Sequence, residues 1–113
     1  MAFEAKDLEG ITKLYAPDAQ IWGTGSKALV TSPDGVRRYF EQAFSTIGSP
    51  KVTVSEQKYH VLSDAVVTIA TMDAVAGTRD GKEFTSPGRT TWVIAKRDGG
   101  WYIIHFHRSS VPK

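Results

Sequence analysis

The sequence predicts an α+β fold in which helices cover one face of an antiparallel sheet. Helical periodicity is confined to the first 50 residues. From Lys51 onward the chain alternates as strands do, and tight turns at Asp80-Gly81 and Asp98-Gly99 separate the alternating segments. Helices that precede a run of strands in this way are typical of an α+β domain.

The first predicted helix covers residues 3–15. Its apolar residues Leu8, Ile11 and Leu14 recur at helical spacing, and Pro17 is expected to end the run. Residues 19–24 then predict a short strand, which is followed by a loop rich in glycine and serine.

The second helix begins with a clear signal. Ser32 is a favourable N-cap and Pro33 suits the first helical position. One face of the following segment is apolar, and Gly48-Ser49-Pro50 predicts the end of the helix. The apolar positions are Val36, Tyr39, Phe40, Ala43 and Phe44.

Four strands are predicted to complete the fold. Turns are expected at Ser63-Asp64, at Arg79–Lys82 and at Asp98–Gly100, so that consecutive strands pair as neighbours. The predicted strands are residues 51–62, 65–78, 83–96 and 101–111.

Composition bounds the class of protein. The 113 residues fit a single domain, 1–113, and the 41% hydrophobic content supports a packed core. A net charge of +2 without a basic stripe argues against nucleic-acid binding. No apolar run is long enough to span a membrane, and charged residues near Met1 argue against a signal peptide. With no cysteine in the chain, we expect a cytoplasmic protein.

The last strand carries the most informative charge. Strand alternation predicts that Arg108 shares a face with Tyr102, Ile104 and Phe106. Because a buried unpaired charge is costly, Arg108 is expected either to pair with an acid such as Asp73 or to hold an anionic ligand. Both alternatives stay open from the sequence.

Asp73 is the only acidic residue within the apolar segment 65–78. In an apolar pocket its carboxylate would suit a general base that removes a proton next to a carbonyl group. The alternatives are an outward-facing aspartate or a partner for Arg108. The sequence shows no second acid or tyrosine at a defined distance from Asp73, and such a residue would be needed to support the catalytic hypothesis.

The opposite face of the last strand predicts an interface. Trp101, Ile103, His105 and His107 alternate there, and a sheet face of this composition suits packing against another subunit. Two histidines at this spacing can ligate one metal, but the sequence signals no third ligand. We therefore expect no metal and no organic cofactor.

Two segments resemble a known family. The segment Arg97–Pro112, which reads RDGGWYIIHFHRSSVP, resembles the end of the association domain of calcium/calmodulin-dependent protein kinase II and its small bacterial relatives. The segment Ala5–Asp18 resembles an early part of the same group. The order of elements is similar to that of the nuclear-transport-factor-2-like and SnoaL-like proteins.

This resemblance implies a cone: a strongly bent antiparallel sheet with helices on its concave face, assembled as a homo-oligomer. It places Arg108 in the cone and puts Trp92 and Thr71 where the association domain has further arginines, so the pocket is expected to be mostly apolar. The first helix is expected to be shorter than in the family. Aromatic residues expected to line the pocket, or else to form core, are Trp22, Tyr39, Phe44, Trp92 and Phe106.

Three functions are therefore expected as alternatives. The leading one is small-molecule binding in the cone. The second is a cofactor-independent isomerase or cyclase that uses Asp73 as base, as in ketosteroid isomerases. The third is an oligomerisation module like the kinase association domain.

Overall fold

A computed structural model describes residues 3–24 and 26–112 of the chain. Within these residues, two helices and five strands follow one another in the predicted order. The helices are α1 (Leu8–Thr12) and α2 (Pro33–Thr46), and the strands are β1 (Tyr15–Trp22), β2 (Gly48–Ser63), β3 (Val66–Arg79), β4 (Lys82–Arg97) and β5 (Gly100–Ser110).

Helix α1 is much shorter than the helix predicted over residues 3–15. Asp7 starts it as N-cap by accepting a hydrogen bond from the backbone N–H of Gly10. Near its other end, the Thr12 hydroxyl donates to the carbonyl of Leu8, a local bond that competes with further helix. The chain then enters β1 at Tyr15, four residues before the predicted start of that strand.

Helix α2 begins as predicted. The Ser32 side chain accepts from the N–H of Gly35, and Pro33 occupies the first turn. Val36 and Phe40 are buried one helical turn apart, which places the apolar face of α2 against the sheet.

The five strands form one sheet in the order β1-β5-β4-β3-β2. Strands β2 to β5 pair antiparallel with their neighbours in sequence, as predicted. The turns at Asp80-Gly81 and Asp98-Gly99 have positive φ at both positions, which matches the twist of a tight hairpin.

Strand β1 closes the opposite edge by pairing in parallel with β5. Pro17 is tolerated there because an edge strand leaves one side of its backbone without a sheet partner.

The core lies between the helices and one face of the sheet, here called the inner face. Its buried residues come from both helices and from the two adjacent strands β1 and β5, so the helices cover this half of the sheet. They are Ile11, Ile21, Val36, Phe40 and Phe106. The architecture confirms the predicted α+β class.

A β-bulge in β5 changes which residues face the core. Val93 pairs with His105, whereas the next residue of β4, Ile94, pairs with Ile103, so Ile104 is left without a partner. The alternation is therefore reversed before the bulge, and Ile103 packs against the core on the same side as Phe106. The predicted placement of Ile103 on the face of the two histidines is wrong. So is the placement of Tyr102 on the face of Arg108, because Tyr102 is opposite Ala95, which lies on the same side of β4 as Val93.

No helix in the described residues is long and apolar enough to cross a membrane.

Candidate functional site

The candidate site is an open cavity of about 1170 Å³ between the helices and the inner face of the sheet, here called the inner cavity. Its wall includes Trp92 of β4 and Phe106 of β5, whose rings lie 5.9 Å apart, together with Tyr39 of α2. Aromatic walls of this kind are common in sites that bind small apolar molecules. A separate depression of about 610 Å³ contains the exposed ion pair between Arg97 and Asp18, and no buried charge.

Arg108 and Asp73 form a buried ion pair in the lining of the inner cavity. The Arg108 Nε donates to Asp73 Oδ1 at 2.9 Å, and the two side chains are 11% and 5% exposed. The second carboxylate oxygen accepts from the hydroxyls of Thr71 at 3.0 Å and Thr90 at 2.6 Å. Of the two alternatives for Arg108, the structure has the internal pair.

The rest of the guanidinium is also engaged. One terminal nitrogen, Nη1, donates to the Thr24 hydroxyl at 2.9 Å, and the other, Nη2, donates to the Ser86 carbonyl at 2.8 Å. Arginine has five N–H groups, and three of them are bonded to described residues, which leaves two without a partner in this part of the chain. Arg108 is thus held in place before any ligand arrives.

Gly88 of β4 makes room for this arrangement. A Cβ atom at that position would overlap the Arg108 guanidinium, which passes over β4 to reach Asp73 on β3. The absence of a side chain at Gly88 is therefore what allows a charge on β5 to pair with one on β3.

Tyr39 lies beside this group of polar residues. The hydroxyl end of the Tyr39 ring approaches Gly23 so closely that a Cβ atom at Gly23 would overlap the ring. Burial raises the pKa of Tyr39, while the positive charge of Arg108 and a backbone hydrogen bond at Thr24 act to lower it. The net direction is upward, so Tyr39 is a neutral phenol in the cavity wall at neutral pH.

Two predicted lining residues lie elsewhere. Trp22 is opposite His107 in the parallel β1–β5 pair, whereas its neighbour Ile21 is buried in the core. Trp22 therefore lies on the outer face, because successive side chains alternate between faces. Phe44 packs against Phe3 and Phe40 within the core and is absent from the cavity lining.

The predicted interface residues also divide between the two faces. His105 and His107 lie on the outer face, opposite Val93 and Thr91 of β4. Trp101 is opposite Lys96 of β4. Lys96 is four residues from the inward-facing Trp92 and therefore lies on the same face, so Trp101 lies on the inner side with Ile103. The predicted placement of Trp101 on the face of the histidines is therefore wrong, and the cause is again the bulge at Ile104. The tryptophan that lies beside His107 on the outer face is Trp22.

Sequence reasoning missed the polar partners of the central ion pair. Thr90 is 3% exposed, and Ser86 contributes a backbone carbonyl that carries no sequence signal. Thr90 lies directly opposite Thr71 across β3 and β4. The two threonines and Asp73 lie on the same face of neighbouring strands, and this pattern in the sequence could have indicated hydroxyl partners for the carboxylate. Among the described residues, no group of three histidine or carboxylate side chains is placed to hold a metal.

A family model described as a SnoaL-like domain matches residues 1–113. The delta subunit of calcium/calmodulin-dependent protein kinase type II from Oryctolagus cuniculus is 31% identical over 110 residues, which are 94% of this chain. The chain spans only 20% of the length of that kinase subunit.

Solved structures agree with the family match. A calcium/calmodulin-dependent protein kinase II association-domain protein from Xanthomonas campestris is 29% identical, with a TM-score of 0.91 over 99% of this chain and 79% of that one. A ketosteroid isomerase-like protein from Erwinia carotovora atroseptica is 16% identical, with a TM-score of 0.84 over 99% of this chain and 87% of that one. The second likeness concerns the fold alone.

Proposed function

The chain belongs to the SnoaL-like family, and from this premise we propose that it binds an apolar small molecule in the inner cavity and acts as a homo-oligomer. The observation that carries the proposal is the cavity itself, about 1170 Å³ in volume with Tyr39, Trp92 and Phe106 in its wall. A cavity lined by aromatic rings loses unfavourable contact with water when an apolar ligand enters.

The state of the central charges supports the same proposal. Asp73 and Arg108 neutralise each other, and every buried polar side-chain atom in the described residues has a hydrogen-bond partner. An apolar ligand therefore leaves no buried charge uncompensated when it displaces water from the cavity. The two N–H groups of Arg108 that bond to no described residue remain as donors that orient a ligand oxygen.

The test is a titration with the neutral fluorescent probe N-phenyl-1-naphthylamine. We expect saturable binding with one probe per subunit. Ala43→Trp places an indole in the cavity lining and should abolish binding. Ser45→Trp is the matched control, because Ser45 lies on the same helix but is exposed and absent from the lining. Equal affinity in the two variants, or no binding to the wild type, contradicts the proposal.

A second candidate is a cofactor-independent isomerase or cyclase with Asp73 as base. It is favoured by one observation, that the Asp73 carboxylate lies in the cavity lining. The hydrogen bonds from Arg108, Thr71 and Thr90 weigh against it, because a base must offer a free lone pair to the substrate. If a substrate is found, unchanged turnover in Asp73→Asn rules this mechanism out.

The homo-oligomer is proposed on the likeness to the association-domain protein and on the composition of the outer face. Trp22, which is 36% exposed, and His107 lie side by side there. Large aromatic side chains on an exposed sheet face suit burial against another subunit.

A further inference from the structure

The charges that line the inner cavity are unbalanced. Among the described residues, its lining contains four cationic side chains, Lys27, Arg38, Arg79 and Arg108, and a single acid, Asp73. A cavity with an excess of one charge attracts ligands of the opposite charge.

The carboxylate of this single acid already has partners within the protein. Asp73 pairs with Arg108 at 2.9 Å, and its other oxygen is held by two threonine hydroxyls. The remaining ion pairs in the described part of the chain involve Arg37 with Glu9 and Arg97 with Asp18. Lys27, Arg38 and Arg79 therefore contribute to the cavity as positive charges with no carboxylate paired to them there.

These three cations come from different elements, and because they are exposed members of the cavity lining they are here called its rim. Lys27 belongs to the loop after β1, Arg38 to α2 and Arg79 to the end of β3, and all three are exposed. The guanidinium of Arg79 lies 4.5 Å from the centre of the Phe84 ring, and this cation–π contact holds the charge beside the cavity. The aromatic wall, by contrast, contains the buried Phe106. The cavity thus combines an apolar interior with a positive rim.

We propose that the ligand is an amphipathic organic anion, with its apolar body against Trp92 and Phe106 and its acid group attracted by the rim cations Lys27, Arg38 and Arg79. This inference rests on the proposed function, since it requires that the cavity binds a small molecule. It differs from the sequence-based expectation in the position of the anion. Arg108 already donates to Asp73, Thr24 and Ser86, so the rim and not the buried arginine supplies the attraction.

The experiment compares two probes that differ by one charged group. N-phenyl-1-naphthylamine is neutral, and 8-anilino-1-naphthalenesulfonate has the same ring system with a sulfonate added. We expect the anionic probe to bind about tenfold more tightly to the wild type, because each of the three exposed cations is worth about a twofold change. Raising the salt concentration should weaken only the anionic probe, because salt screens exposed charges.

Variants locate the effect. Arg38→Gln/Arg79→Gln should remove most of the preference for the sulfonate, measured as the ratio of the two probe affinities in the same variant. The matched control Arg37→Gln/Lys82→Gln makes the same change in net charge, on the same helix and the same hairpin, at positions absent from the cavity lining. This control should keep the preference of the wild type. Lys27→Gln provides a further single-charge test in the loop.

The outcomes separate the two proposals. Equal affinity of the two probes for the wild type overturns the anionic ligand and leaves the binding cavity intact. The same loss of preference in the rim variant and in the control also overturns it, because the effect is then one of net charge. If neither probe binds, the proposed function fails together with this inference.

Discussion

Arg108 of β5 reaches over β4 and donates a hydrogen bond from Nε to Asp73 Oδ1 of β3 at 2.9 Å. The pair joins two strands that are not neighbours in the sheet, in the lining of a cavity whose other walls are largely apolar. Because both side chains are nearly inaccessible to water, each depends on the other for compensation of its charge.

Removing the charge of Asp73 should therefore destabilise the protein strongly. We expect Asp73→Asn to lower the free energy of unfolding by about 3 kcal/mol, because Arg108 is left buried without a counterion. Chemical denaturation measures the change. The exposed pair between Arg37 and Glu9 is the control, and Arg37→Gln should cost less than about 1 kcal/mol. A combined Asp73→Asn/Arg108→Met variant should be more stable than the sum of the single changes predicts. Additive costs would show that the two groups are not coupled.

Gly88→Ala should disturb the same pair from β4. The added methyl group would occupy the position of the Arg108 guanidinium, which three hydrogen bonds hold in place. We expect a cost of about 1–3 kcal/mol in the free energy of unfolding. In an Arg108→Ala background the same substitution should cost much less, since the overlap is gone. An equal cost in both backgrounds would place its cause elsewhere.

Alkaline pH should weaken the fold through two tyrosines. Burial raises the pKa of Tyr15, with a further contribution from Tyr39, and burial also raises the pKa of Tyr39. Both groups keep their protons in the folded protein after the unfolded chain begins to lose them near pH 10, at about the ordinary tyrosine value. Stability is then fully present below that pH and falls as the pH rises beyond it.

Unfolding curves between about pH 9 and 11.5 measure this loss. Tyr15→Phe and Tyr39→Phe should each flatten the decline, because phenylalanine has no proton to release. If the double variant loses stability as steeply as the wild type over that range, the two tyrosines are not its source.

The outer face should control assembly. We expect sedimentation of the wild type at micromolar concentration to give a multiple of the chain mass. Trp22→Glu and His107→Glu should shift the protein towards the monomer, because each introduces a charge into the proposed interface. Ser45→Glu, at an exposed position of α2, is the control and should leave the mass unchanged. A wild type that sediments as a monomer rules out the assembly.

Much of the fold was predictable from local signals. Ser32 and Pro33 correctly marked the start of α2, and the Asp-Gly and Asp-Gly-Gly turns correctly marked the hairpins. These features are determined by residues close together in the chain. The parallel pairing of β1 with β5 has no such signal, because it joins segments from opposite ends of the sequence.

The errors in the site share one physical origin. The face of each β5 residue was predicted by counting alternate positions, and the bulge at Ile104 adds one residue to the count. Nothing about an isoleucine indicates a bulge, so Trp101 and Ile103 were placed on the wrong side. Arg108 and Phe106 follow the bulge, so the prediction that they share a face is unaffected by it, and the family resemblance implied their position in the cavity lining. Ile21 and Trp22 are adjacent and both apolar, so the sequence did not indicate that Ile21 faces the core and Trp22 the outer face.

The parallel β1–β5 pair also has a consequence for how the molecule forms. Strands β2 to β5 meet their sequence neighbours through short turns, so their pairing requires only small loops to close. Bringing Tyr15 beside Ile103 closes a loop that contains most of the chain, and its entropic cost comes before any of its contacts form. We therefore expect the meander to organise first and β1 to dock last. The inner cavity, which β1 and both helices help to wall, is then the final part of the protein to be completed.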